Sequence, residues 1–111
     1  MTNNKFGAIR TKIDGYSFDS LAEAQRYLDL CLLVKAGEIF NLRIHPVYEL
    51  QKAFEYHGKK LQAIKYEADF QYIEGDQIVT EDVKGIITAL AKVKIKMFKK
   101  LYNWIDFRIV K

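Results

Sequence analysis

Asp69, Asp82 and Lys84 are residues whose types and spacing can act together. Strand alternation puts Asp82 and Lys84, two positions apart, on one face. A tight turn at Glu74-Gly75-Asp76 brings Asp69 nearly opposite Asp82, and the register or a one-residue bulge decides whether the two face together. Carboxylates held side by side repel, so one resists ionisation unless a cation lies between them. Mg²⁺ takes oxygen ligands of this kind, usually one or two carboxylates with waters and a phosphate oxygen. A lysine beside such an ion can orient the attacking water and offset phosphate charge. The plainer alternative is a cross-strand salt bridge on a solvated face. Glu81 alternates to the opposite face, and a bulge would exchange it with Asp82. Glu67 shares a face with Asp69 and reads as a supporting or solvent residue.

The elements that must position these groups are legible in outline. Lys12–Phe18 reads as a short hairpin about Asp14-Gly15. Ser20 and Glu23 fit a capping box. The helix that follows has Leu21, Ala24, Tyr27, Leu28, Cys31, Leu32 and Val34 as its expected buried stripe, and ends near Gly37. His45-Pro46 disfavours helix, so 39–54 is expected to be extended. A turn at 57–60 leads into one long strand, 61–73, with Tyr66, Ala68, Phe70 and Tyr72 on one face. A strand at 77–84, a helix at 88–102 and a strand at 104–110 complete the chain. The order is a short N-terminal hairpin, then α-β-β-β-α-β. This is an α+β fold with a mixed central sheet flanked by helices, in a single domain spanning residues 1–111.

The second helix carries Lys92, Lys94, Lys96, Lys99 and Lys100 with no acidic residue. Its expected apolar face is Ile87, Leu90, Ala91, Met97, Phe98 and Leu101. Lys92, Lys96, Lys99 and Lys100 fall outside that face, as a solvated surface or a DNA-backbone contact. Lys94 falls at the centre of the Leu90–Met97–Leu101 stripe. It must snorkel or find a partner, and the acidic cluster or a scissile phosphate is the expected one. His45 reads as a structural hydrogen-bonding group and His57 as a turn residue. Tyr66, Tyr72, Trp104 and Phe107 read as core or sheet-face aromatics before base-stacking ones.

The segments YEADF (66–70) and VTEDVKG (79–85), together with the α-β-β-β-α-β order, resemble the PD-(D/E)XK nuclease signature. Residues 18–39, HPVYEL and TALAKVKIKMFKKLY are similar to a family of small phage and prophage nucleases known mainly as a domain of unknown function. The likeness covers roughly residues 6–110. It implies a restriction-endonuclease-like fold and a Mg²⁺-dependent endodeoxyribonuclease, with Mn²⁺ as a substitute ion. The (D/E)-x-K spacing selects Asp82 over Glu81. Asp69, Asp82 and the Val83 carbonyl would hold the ion, Glu23 would support it or a second one, and Lys84 would position the water. The products would carry a 5′-phosphate and a 3′-hydroxyl. The superfamily's proline before the first Asp is Ala68 here. A basic residue in the last helix, here Lys94, also fits the family.

Composition sets the outer bounds. The chain has 111 residues, a net charge of +4 and one cysteine, so internal disulfides and a Cys/His zinc site are excluded. A pI near 9.1 is compatible with a polyanionic partner. No apolar run is long enough to span a bilayer, and MTNNKFGAIR lacks the apolar core of a secretory leader. A cytoplasmic setting in a bacterial host or phage-infected cell is expected. Residues 1–5 are polar and read as a frayed end. So small a nuclease is expected to read DNA shape, as in branched DNA or a Holliday junction, and to need a homodimer to cut both strands. The alternatives are a non-catalytic nucleic-acid-binding module and a phage structural or interaction protein on the same fold.

Overall fold

Two strands, β1 (Thr11–Ile13) and β2 (Tyr16–Phe18), form the expected hairpin, with Asp14 and Gly15 at φ 53° and 84° in its turn. These are backbone values that Asp and Gly tolerate better than most residues. A computed structural model of the protein describes residues 10–111, so the polar stretch 1–5 lies outside the described residues. Ser20 caps helix α1 (Leu21–Lys35), its Oγ accepting from the Glu23 N–H at 3.1 Å.

The chain then forms a long antiparallel ribbon. Its first half is β3 (Phe40–Ile44), β4 (Val47–Gln51) and β5 (Phe54–Tyr56). Its second half is β6 (Lys59–Leu61), β7 (Ile64–Glu67) and β8 (Phe70–Glu74). The pairings Ile44↔Phe70 and Val47↔Glu67 keep one register across a break at His45-Pro46 and Ala68-Asp69, and Phe54↔Leu61 carries the pairing onward. Strand β9 (Gln77–Val83) follows, then helix α2 (Ala89–Leu101), whose Thr88 cap accepts from Ala91 N–H, and β10 (Asp106–Val110). The central sheet has the order β10-β9-β8-β3, with β9 and β10 parallel and the other pairs antiparallel. One core gathers Phe18, Tyr27, Leu30, Phe70, Tyr72 and Val79 with α1. A second gathers Tyr48, Leu50, Tyr66, Ala68, Ile95 and Phe98 with α2. The fold is therefore mixed α+β, with a mixed sheet between two helices. Among the described residues no helix is long and apolar enough to cross a membrane.

Four expectations are corrected. Residues 61–73 are not one strand: the break at Ala68-Asp69 sends Tyr66 and Ala68 into the α2 core but Phe70 and Tyr72 into the α1 core. His45, at φ 55° in the facing strand, makes the matching irregularity. The turn at 57–60 narrows to His57-Gly58, and Lys59 and Lys60 are strand residues. On α1, Leu21, Leu28, Leu32 and Val34 are exposed, and the buried residues are Glu23, Ala24, Tyr27 and Leu30. On α2, Ile95 and Phe98 are buried while Leu90 and Leu101 are exposed. The helix is thus turned by about 70°, less than the roughly 100° of one residue step, so that Phe98 stays in the buried stripe and Lys94 lies at its edge rather than its centre.

Candidate functional site

The ribbon's break creates the site. At the junction His45 N–H donates to Asp69 O at 2.9 Å, and Ala68 N–H donates to Pro46 O at 3.0 Å. Asp69 N–H donates to Glu81 O at 3.1 Å. These bonds hold Asp69 at the mouth of β8, opposite Asp82 in the β8–β9 register. Its Oδ2 accepts from the Val83 N–H at 2.6 Å.

From the other side, α1 delivers Glu23, only 6% exposed, to His45, with Oε1 and Nε2 hydrogen-bonded at 2.8 Å. Glu23, His45 and Asp69 each present a ligand atom, and all three lie within 4.8 Å of one another. They line a polar cleft of about 230 Å³ that also includes Ser17, Glu67 and the ion pair of Arg10 with Asp19 at 3.3 Å.

Asp82 sits beside this group, nearly fully buried. Its carboxylate accepts from Tyr66 OH, and Lys84 Nζ lies 3.7 Å from its Oδ1. Lys84 N–H donates to Val110 O at 3.0 Å, which fixes the lysine where β9 meets β10. A second cleft, of about 250 Å³, holds Lys84, Lys94, Tyr66 and Glu67. Glu67 borders both clefts, so an acidic pocket adjoins a two-lysine pocket.

The electrostatics follow from burial. The Asp69 carboxyl is pushed up to about 8, first by loss of solvation, then by a hydrogen bond with Asp82 and the charges of Glu23 and Asp82. The Val83 N–H opposes the rise. Glu23 is raised by burial, with His45 opposing. Tyr66 is raised by burial and by its bond to Asp82. Three carboxyl groups therefore sit in one place, and burial with mutual repulsion holds a proton on Asp69, the condition that favours a bound cation.

Glu81, next in sequence, has the opposite surroundings. It is fully buried on the α1 side, takes Nε and Nη2 of Arg26 at 2.8 and 2.6 Å, and accepts from Tyr72 OH. Its lone pairs are engaged and it faces away from the clefts.

Residues 3–111 match the family described as protein of unknown function (DUF1064). The chain belongs to the DUF1064 family. Searches of curated proteins and of solved structures found no match.

In this DUF1064 chain the structure brings together Glu23, Asp69, Asp82 and Lys84, with Lys94 across the adjoining cleft. Val83 enters the site through its N–H, which bonds to Asp69. Lys92, Lys96 and Lys99 are elsewhere: they rim a groove of about 300 Å³ between α2 and β10 that contains Ile95 and Phe107. Lys99 Nζ stands 5.6 Å from the Phe107 ring centre. Lys100 is exposed. His45 is the residue that sequence reasoning missed as a possible ligand. Its only signal was the His-Pro step, which marks a chain irregularity but not a partner 22 positions away in sequence.

Proposed function

We propose that this protein is a divalent-metal-dependent DNA endonuclease of the PD-(D/E)XK type, acting on branched DNA such as a Holliday junction in phage or prophage DNA processing. The observation that carries this reading is the pairing of an acidic cleft with a two-lysine cleft across Glu67, with Lys84 of the second cleft 3.7 Å from the buried Asp82 carboxylate.

The donor set fits a cation. Asp69 and Glu23 offer carboxylate oxygens and His45 an imidazole nitrogen within one small volume, and Asp82 adds a carboxylate beside Asp69. Oxygen donors suit Mg²⁺, and an added nitrogen suits Mn²⁺ as well. When bound, the ion supplies Lewis-acid activation of the phosphate and a water of lowered pKa. The chain's own residues do the rest. Asp69 gives up the proton that burial and Asp82 hold on it. Asp82, anchored by Tyr66, keeps Lys84 at the cleft. The Lys84 ammonium holds the attacking water and offsets charge on the phosphate, while Lys94 binds a non-bridging or neighbouring phosphate oxygen. Water adds to phosphorus and releases a proton to solvent as the bond to the 3′ oxygen breaks and that oxygen takes up a proton from solvent, leaving a 5′-phosphate and a 3′-hydroxyl. One chain carries one such site, so paired cuts take two copies.

The test is a cleavage panel of single-stranded, duplex, flap and four-way-junction DNA with Mg²⁺, Mn²⁺ or EDTA, in wild type and Asp69→Asn. Metal-dependent cutting of the branched substrates, absent in Asp69→Asn, supports the reading. No cutting of any substrate with either ion overturns it.

A further inference from the structure

The ribbon does not stop at the core. Beyond Leu50 it continues as β5 and β6, a sheet of two strands joined at His57-Gly58, and every residue from 51 to 60 is exposed. A two-stranded hairpin is marginal in water without something packed on it. Here cross-strand pairing groups Phe54 with Leu61 and Tyr56 with Lys59, so these four share one face. Phe54 is 44% exposed and Tyr56 62% exposed. Over residues 51–65 there are four lysines and a single acidic residue, Glu55, so this segment holds much of the chain's +4 surplus. Aromatic rings beside lysines, on a slender projection, match a polyanion with stacked apolar edges better than a second protein surface.

We infer that the β5–β6 hairpin is a DNA-binding arm that lies in the major groove of the duplex flanking the cleavage position. A two-stranded ribbon fits that groove, which is about 12 Å wide. The ribbon runs from the break at His45 to Tyr56. Eleven steps at about 3.3 Å each give a contour of roughly 36 Å, close to one turn of B-DNA. Lys59 and Lys60 contact phosphates on the groove walls, and Phe54 and Tyr56 contact base edges, so the arm sets a minimum duplex length beside the site.

This inference rests on the DNA reading above, and its test separates the two. Binding of a fluorescein-labelled four-way junction with 20-base-pair arms is compared with one of 6-base-pair arms, by anisotropy in Ca²⁺. The proteins are wild type, Phe54→Ser/Tyr56→Ser and Lys59→Gln/Lys60→Gln. Wild type is expected to prefer the long arms by about tenfold or more, and each double variant to lose that preference while binding Mn²⁺ as wild type does. The lysine pair keeps the test informative if the aromatic pair misfolds. Equal preference for long arms in wild type and both variants overturns the arm and leaves the nuclease reading intact. Failure of wild type to bind either junction overturns both. If a variant changes a dimer to a monomer in light scattering while junction binding per chain stays constant, the hairpin joins two copies and the inference is wrong.

Discussion

Glu81 and Asp82 are adjacent on β9, both buried, and their side chains have opposite fates. Glu81 points to α1 and meets a bidentate Arg26 and the Tyr72 hydroxyl. Asp82 points to the α2 side and meets Tyr66, a lysine at 3.7 Å, and another carboxyl group, Asp69. On one face the charge is matched inside the protein. On the other it is left for something else to match. A buried charge with a full set of partners holds a fold in place, whereas a buried cluster short of positive charge invites a ligand.

The largest effect is expected on the matched face. Arg26→Met strands Glu81, which is fully buried. Removing one partner of a buried pair costs about 3–5 kcal/mol, somewhat less here because Arg26 is partly exposed. Urea denaturation should show this loss, and Mn²⁺ affinity of the folded fraction should be unchanged. A loss under about 1 kcal/mol would mean that Glu81 is not held as described.

Lys84→Ala acts on the other face. It should lower single-turnover cleavage by about 10²-fold or more while the denaturation midpoint stays within error. Cleavage at the wild-type rate would remove Lys84 from the mechanism.

The pH dependence of stability separates the faces again. In the metal-free protein Asp69 titrates near 8 when folded, against 3.8 as its ordinary value. Because the folded value is raised, the associated stability is fully present below about pH 4 and declines as pH rises towards and through 8. Asp69→Asn should flatten this decline and unfold at a higher temperature than wild type at pH 9. An unchanged pH slope would mean that the carboxyl group is not buried against its neighbours.

The smallest effects belong to α2. Lys94→Met should slow single-turnover cleavage by about tenfold, equivalent to ~1.4 kcal/mol. Lys96→Met should leave the rate alone, weaken DNA binding slightly and reduce its salt dependence by about one counterion. The reverse pattern would place the phosphate path along the α2–β10 groove.

The Asp69/Asp82-x-Lys84 spacing, the Ser20 cap, the Asp14-Gly15 hairpin and the element order were all legible, because each rests on local chemistry or strand alternation. The rotation of α2 was not. Leu90, Val93, Ile95, Met97, Phe98 and Leu101 spread over more than half of the helix circumference, so periodicity alone does not choose which part of that arc is buried. The aromatic shelf of Tyr48, Tyr66 and Phe107, which comes from three separate strands, chooses Ile95 and Phe98. On α1 apolar residues likewise occupy more than one face, and the buried stripe runs through Glu23, Tyr27 and Leu30 while Leu21, Leu28 and Leu32 stay exposed. The break at Ala68-Asp69 was hidden because a reversal of faces leaves an alternating pattern that still reads as one strand. His45 was hidden because its role depends on a contact with Glu23 that only the folded chain makes.

The central claim is that the Asp69 side of β9 is a cation site and the Glu81 side is not. Calorimetric titration of Mn²⁺ and Mg²⁺ at pH 8.5 into wild type, Asp69→Asn and Glu81→Gln tests it most directly. Wild type should bind saturably, Asp69→Asn should bind at least about tenfold more weakly, a loss of ~1.4 kcal/mol or more, and folded Glu81→Gln should match wild type. Equal affinity in wild type and Asp69→Asn, or no heat of binding from either ion in wild type, would contradict it.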